Sequence, residues 1–363
     1  MKIFRLEWYR LFINHKGLLL VLLCLLLKLA ALAVLPETKD ARIRLSQRQY
    51  NLYMADLYGA DNADKQAYID TEYHTLKTLG EQYEAMQSAY QHGQITEDEW
   101  EAYNRDLRTV DVRLPAISIF YEKLVAFRQI ESYEGISAPA YFYDYGWRAI
   151  FNWLALPDVL ALLSVLIVAV QAFGSDIAQG SVNLLRVTRH GRERLFWQRT
   201  GMCALSAVVI ALLHSGLELL MFVLRMSMND AASPLYSLPH FAGIPIPVTI
   251  AQGLAVMYVC RIIGTCLLAL LAMAFAILCK SIVNTLLGVT IITVVPFLFS
   301  NLPHGFVSFT YSGFLTGTEV VRHYAVFSNA LFGLLPAGTL ALATAIVLLA
   351  AMHRYTNGQF QDL

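Results

Sequence analysis

Charged residues are scarce in this 363-residue chain, at 15%, while 57% of positions are hydrophobic. Soluble domains carry about 25% charged residues, so the shortfall excludes an ordinary soluble protein and implies an integral membrane protein. Cysteine is missing from the long polar stretch. All five cysteines (Cys24, Cys203, Cys260, Cys266 and Cys279) fall in apolar runs. That excludes a disulfide framework in the polar part and leaves them as small packing residues. No G-x-x-x-x-G-K-[ST] loop occurs, so the chain lacks a Walker-type cradle for ATP. H-E-x-x-H, G-x-S-x-G and C-x-x-C are missing too, and the nine histidines show no metal-ligand spacing. Enzymatic chemistry, a bound metal and a bound cofactor are therefore not expected of this chain.

What the chain does contain is a series of long apolar runs. Residues 1–16 place Ile3, Phe4, Trp8, Leu11 and Phe12 near one helical face, beside Lys2, Arg5, Arg10 and Lys16. This is the pattern of an amphipathic helix lying in the inner membrane interface. Apolar runs follow at 17–35, 149–174 (with an aromatic girdle at its start), 201–225, 250–279, 282–299 and 327–352. About 20 apolar residues suffice to span a bilayer, so these read as six transmembrane helices. The expected fold class is an all-α integral membrane protein with both termini cytoplasmic, 353–363 forming the inner tail.

Residues 36–148 hold 12 Lys/Arg against 19 Asp/Glu, a net of −7, and read as a large helical extracytoplasmic domain between helices 1 and 2. Apolar positions there recur every three or four residues, as in Tyr73, Leu76, Leu79 and Tyr83, then Trp100, Tyr103, Leu107 and Val110. The period predicts a helical hairpin with an aromatic seam. Thr96 followed by Glu99 reads as a capping box, His92-Gly93 as the end of the preceding helix, and Pro115 as a break or kink. The proline-rich stretch 226–249 reads as an external loop with little regular structure.

Four ionisable residues in the apolar runs stand out: Lys28, His214, Glu218 and Arg261. Each is a functional hypothesis by default, because isolated charge in lipid is costly. Lys28 lies seven residues before Leu35. Its long stem is expected to snorkel to the outer interface, with a polar partner in the bundle as the alternative. His214 and Glu218 share one helical face at i and i+4. They either line a translocation route or pair with Lys28 or Arg261 to hold the bundle.

The most patterned stretch is Phe173–Arg199, with Arg186, Arg189, Arg192, Arg194 and Arg199 against Asp176 and Glu193. A basic loop between spans marks the cytoplasmic side. In order it carries Asp176, Gly180, Ser181, the pair Leu184-Leu185, Gly191-Arg192 and Arg199. This resembles the first cytoplasmic loop of ABC-2 type transporter permeases, which commonly reads Glu-x-x-x-Gly-Thr, Leu-Leu, Pro-x-Ser-Arg, then Lys. Asp176, Ser181 and Arg199 stand here for the Glu, Thr and Lys, and the usual Pro is missing. The resemblance implies that 175–200 forms a coupling helix docking on a separate ABC ATPase subunit. Asp176, Gly180, Ser181, Leu184, Leu185, Arg192 and Arg199 would make that contact.

The resemblance also places ATP and Mg on the partner, not on this chain. It implies a second copy of the permease or a related one, contact with membrane lipid, and a re-entrant segment at 300–326. It also implies export from a bacterial cell membrane, and an aromatic bundle with few intramembrane charges suits a hydrophobic or amphipathic substrate (peptide, antibiotic or lipid). No nucleic-acid partner is expected. The alternative is a membrane sensor or immunity protein with a ligand-binding extracytoplasmic domain, and a remoter one is an intramembrane enzyme using His214 and Glu218.

Overall fold

A computed structural model describes residues 2–14, 16–34, 41–129, 137–178, 193–226, 228–241, 248–298, 309–318, 320–321 and 330–357. Among them the only strand pairing joins two-residue strands, β1 (Gly59–Ala60) and β2 (Ala140–Tyr141), in antiparallel register. The chain is all-α, as composition and periodicity predict. It divides into two compact units. One holds Met1–Leu35, Asn152–Arg225 and Gly253–Leu363, the other Pro36–Phe151 and Met226–Gln252.

The apolar unit begins with α1 (Lys2–Tyr9), a π-turn at Arg10–Asn14, and α2 (Gly17–Val34). Leu18, Leu19, Leu22, Leu23, Leu26 and Leu27 of α2 are exposed, a surface suited to lipid. Five helical stretches are long and apolar enough to cross a membrane: Gly17–Val34, Tyr145–Gly174, Glu193–Arg225, Ile250–Cys279 and Leu335–Asn357. This is the architecture of a multi-pass membrane protein. The expected fifth span, 282–299, is shorter, with 15 apolar helical residues from Ile282 to Pro296. The six-span expectation is thus met at full length by five helices among the described residues.

Boundaries also differ from the hydropathy reading, the last helix running on to Asn357 where 353–363 was expected as tail. The run at 149–174 is two helices, α8 (Tyr145–Leu154) and α9 (Val159–Ala178). Pro157 disfavours helix at the residue before it, and Asp158 restarts the helix by accepting from the Ala161 amide at 3.0 Å, as an N-capping aspartate does. The third run begins at Glu193, so α10 spans Glu193–Arg225 and not 201–225. Hydropathy stops at polar residues, whereas the helix continues through them because Leu195, Phe196 and Arg199 are buried.

The next helix, α11 (Ile250–Cys279), is buried on several sides. Leu268, Ala269, Leu271, Ala272, Met273 and Ala274 are all enclosed, and an all-round apolar helix belongs at the centre of a bundle. Beyond it lie α12 (Ile282–Leu298), a short buried helix α13 (Tyr311–Thr316), and α14 (Ala330–Asn357). Two glycines let α13 approach α11. A Cβ on Gly264 would stand 2.8 Å from Phe314 Cβ, and one on Gly317, at φ +75°, 2.8 Å from Met257 Cα. Most of 300–326, including Glu319 and Arg322, lies outside the described residues.

The polar unit is built on α4 (Gln47–Leu57), α5 (Ala63–Glu81) and α7 (Glu97–Arg128), with the short α3 (Ala41–Leu45) and α6 (Tyr83–Gln91) beside them. The predicted seam is present. Tyr73 stacks on Tyr121 at 3.9 Å and Tyr90 on Trp100 at 5.3 Å, while the Tyr103 hydroxyl donates to the Leu79 carbonyl at 2.6 Å. Gly93, at φ +65°, follows the end of α6.

Pro115 does not break the helix: α7 runs through it from Glu97 to Arg128. The lost amide donor is outweighed because Ala116, Ile117 and Phe120, just past the proline, are fully buried. The described part of 226–249 has little regular structure, as expected, yet it is packed. Its 3-10 turns at Leu235–Ser237 and Pro239–Phe241 bury Leu235, Tyr236, Leu238 and Phe241.

The capping box forms as expected, with Thr96 Oγ1 accepting from the Glu99 amide and Glu99 accepting from the Thr96 amide at 2.8 Å. Replacing Thr96 by Ala removes an N-cap whose loss costs enough for about a fivefold change in local opening. Hydrogen exchange at the first-turn amides of α7 should quicken by that factor while α5 is unchanged. Equal exchange in both proteins would show that the cap does not hold this end.

Candidate functional site

The apolar unit must bury charge in a place where water is excluded, and it does so in two clusters. The first gathers the four ionisable residues singled out in the apolar runs. Lys28 comes from α2, His214 and Glu218 from adjacent turns of α10, and Arg261 from α11. Lys28 is 1% exposed and Glu218 is fully buried. Lys28 does not snorkel. Its ammonium donates to Asp158, to Glu218 Oε2 at 2.7 Å and to the His214 carbonyl at 3.1 Å. An ammonium has three hydrogens, so all of them are used.

Glu218 completes the link to α11. Its Oε1 accepts from Arg261 at 3.1 Å and from the Tyr258 hydroxyl at 3.2 Å. Arg261 spreads its remaining donors over two carbonyls, Leu315 of α13 at 2.9 Å and Leu156 at 2.8 Å. Gly264, one turn along α11, is what lets α13 come near enough to offer that carbonyl. Two cations meet two carboxylates, so the cluster is neutral. Its ionic and carbonyl contacts tie α2, the start of α9, α10, α11 and α13 together. His214 is fully buried with Nδ1 3.7 Å from Asp158, beyond hydrogen-bond reach. Through Glu218, which meets both Lys28 and Arg261, the arrangement fastens helices. A cavity of about 10 Å³ bordered by Asp158, Ser215, Arg261 and Thr265 has room for about one water.

Sequence reading missed Asp158 and Tyr258. Asp158 sits in Leu-Pro-Asp at the start of an apolar run, where an acid reads as a flanking polar residue. The usable signal was charge balance, because two cations inside the runs faced only Glu218.

The second cluster lies at the other end of the same helices. Arg10 donates from Nη1 to both oxygens of Asp176 at 2.7 Å and from Nη2 to the Ala172 carbonyl at 3.0 Å. Arg199 meets Asp176 at 2.5 Å and Glu7 at 3.0 Å, and Glu7 also pairs with Arg10 at 2.8 Å. The Arg199 guanidinium lies 4.9 Å from the Phe173 ring centre, a cation–π contact. Again two cations and two acids cancel.

Asp176 and Arg199 were expected on a partner-facing surface. Both are buried, Arg199 at 1% and Asp176 at 7% exposed, where they pair with each other. The other coupling residues, Gly180, Ser181, Leu184, Leu185 and Arg192, lie outside the described residues. What the cluster does is hold together the two helix ends that bracket 179–192.

At 1.5 Å per helical residue, Asp158 and Asp176 stand about 27 Å apart along α9. Arg199 and Glu218 stand about 28 Å apart along α10. A bilayer's hydrocarbon core is about 30 Å thick. The two neutral clusters therefore bracket a stretch the thickness of that core.

Removing one partner from a buried pair leaves the other charge uncompensated, at a cost on the order of 3–5 kcal/mol. Lys28→Met should lower the melting temperature of the detergent-solubilised protein sharply. Adding Asp158→Asn should recover most of the loss by restoring neutrality. A double variant as unstable as the single one would show that charge balance is not what matters. At the second cluster, burial pushes the Asp176 carboxyl up, but Arg199 and Arg10 together outweigh it and hold the carboxyl below its ordinary value. An acid with a lowered value contributes stability above its unfolded value, near pH 3.9, and loses it only as pH falls further. Intrinsic-rate-corrected hydrogen exchange at residues 7–14 should stay slow from neutral pH to about pH 4 and quicken below. Release already near pH 6 would contradict this pairing. Compared with known proteins, the chain matches no family model, no curated protein and no solved structure.

Proposed function

We propose that this chain is the membrane-spanning permease subunit of an ATP-driven ABC-2 type transporter, exporting a hydrophobic or amphipathic substrate such as a peptide, antibiotic or lipid. The observation that carries the reading is the partly buried Glu7–Arg10–Asp176–Arg199 cluster, which fastens both ends of a basic loop to each other and to the N-terminal helix. A loop that receives force from a partner needs such an anchorage, or it would yield without moving the helices behind it. The order Asp176, Gly180, Ser181, Leu184-Leu185, Arg192 and Arg199 supports the same assignment by resemblance.

In this reading α12 is a short fifth crossing, both termini are cytoplasmic, and Pro36–Phe151 lies outside the cell membrane. ATP and Mg belong to the partner ATPase. Leu184 and Leu185 fill a groove on it, and Arg192 meets its acidic rim. Closure of two ATPase subunits then draws the loops of two permease copies, or of this chain and a related one, together. The Arg10–Asp176–Arg199 clamp passes that displacement to α1, α9 and α10 as one piece. The Lys28–Glu218–Arg261 cluster keeps the far ends from separating, so the helices tilt and access switches sides. Enzymatic chemistry is assigned to the partner.

The test is purification of the tagged protein from its native membrane, beside a Gly180→Trp, Leu184→Asp double variant. A Walker-A-bearing ATPase should accompany the wild-type chain, with ATP hydrolysis, and be lost from the variant. Recovery with both proteins would move the docking site elsewhere. Recovery with neither, under conditions that preserve other membrane complexes, would replace the transporter by the sensor reading.

A further inference from the structure

The polar unit contains a cavity of about 140 Å³. Cavities near 150 Å³ admit a molecule the size of benzene. Its apolar walls are Ile119, Ala126, Phe127 and Pro239, and its polar ones come from α7, α8 and the 3-10 turn at Ser237. The charges along it do not cancel. Glu122 is taken by Arg42, whose guanidinium meets it at 2.5 and 3.0 Å. Lys123 and Asp144, both almost fully buried, stand 3.0 Å apart, yet neither facing atom has an aligned hydrogen bond. Arg148 remains. It is half-buried, and its guanidinium has no ion pair or side-chain hydrogen bond with any described residue. Asp144, one turn before it on α8, is occupied by Lys123.

A cation that no described residue compensates, in a partly buried, apolar-walled cavity, is unusual, because buried charge is normally paired. It is more unusual in a segment whose net charge is −7 over residues 36–148. Ser237 adds a donor. It is 1% exposed, and its Oγ accepts from the Ala140 amide at 2.9 Å, which leaves the hydroxyl hydrogen for an acceptor in the cavity. A planar guanidinium fork matches a carboxylate with two parallel hydrogen bonds. We propose that this cavity binds a small monocarboxylate whose apolar body is no larger than a single ring, with Arg148 and Ser237 on the carboxylate and Phe127 and Ile119 against the body. A dianion such as phosphate fits less well, since the cavity offers one surplus positive charge and mostly apolar walls. The site does not depend on the transporter reading.

The experiment uses the full-length protein in detergent with 4-fluorobenzoate as probe and 4-fluorobenzyl alcohol as its neutral match, followed by fluorine NMR line width. The benzoate line should broaden beyond its width in empty micelles, and the alcohol line should not. Arg148→Gln removes a charge-assisted contact and should weaken binding about tenfold or more. Ala126→Phe should fill the cavity and abolish binding with Arg148 in place, and Arg105→Gln, exposed on α7, should leave binding unchanged. Ala126→Phe and Arg148→Gln report independently, so a folding defect in one leaves the other decisive. Equal broadening of both probes, or wild-type binding by the well-folded Arg148→Gln and Ala126→Phe variants, would overturn the assignment.

Discussion

Charge neutrality in a place without water governs the apolar unit. A lone lysine or glutamate there would cost several kcal/mol, so each is met by an opposite charge from another helix. Lys28 and Arg261 are matched by Asp158 and Glu218, and Arg10 and Arg199 by Glu7 and Asp176. Each pairing also fixes geometry. Glu218 cannot serve Lys28 and Arg261 together unless α2, α10 and α11 converge at its depth, and Arg261 cannot reach the Leu315 carbonyl unless Gly264 lets α13 close in.

The placing of the two clusters gives the unit its mechanical character. They lie about one hydrocarbon thickness apart along α9 and α10. Between them the contacts are apolar and adjustable: Val165, Val168 and Ala169 of α9 and Ala269, Ala272 and Ala276 of α11 are buried, and small residues permit close, sliding approach. Stiff ends with a smooth middle suit helices that tilt without separating. The proposed transport cycle asks for that property, and the basic loop sits at one of the stiff ends.

The polar unit follows different physics. Its order comes from aromatic packing, with Tyr50 against Phe120 at 5.2 Å and Phe127 against Tyr141 at 5.2 Å. Burial pushes the Tyr50 hydroxyl far above its ordinary value, so that ring stays neutral across the physiological range. Ion pairs such as Arg113 with Glu72 lie nearer the surface of this unit and are worth less. Against this background the Arg148 guanidinium, which no described residue pairs, stands out, and a ligand carboxylate would complete the pattern seen elsewhere in the chain.

Composition and period alone determined that the chain is helical and apolar enough to cross a membrane. They also located α2 and α11 within a residue, the Thr96–Glu99 cap, and the aromatic seam, because these depend on residues three or four apart on one helix. The loop resemblance came from spacing too. Tertiary structure decided what became of the charges and the breaks. Whether Lys28 reaches water or an acid depends on the position of Asp158, 130 residues away in sequence. Whether Arg199 is exposed or enclosed by Glu7 and Asp176 depends on how α1 docks, and whether Pro115 ends a helix depends on the burial of the residues beyond it. Long-range pairing and burial leave no period in a single sequence, so only the folded chain reveals them.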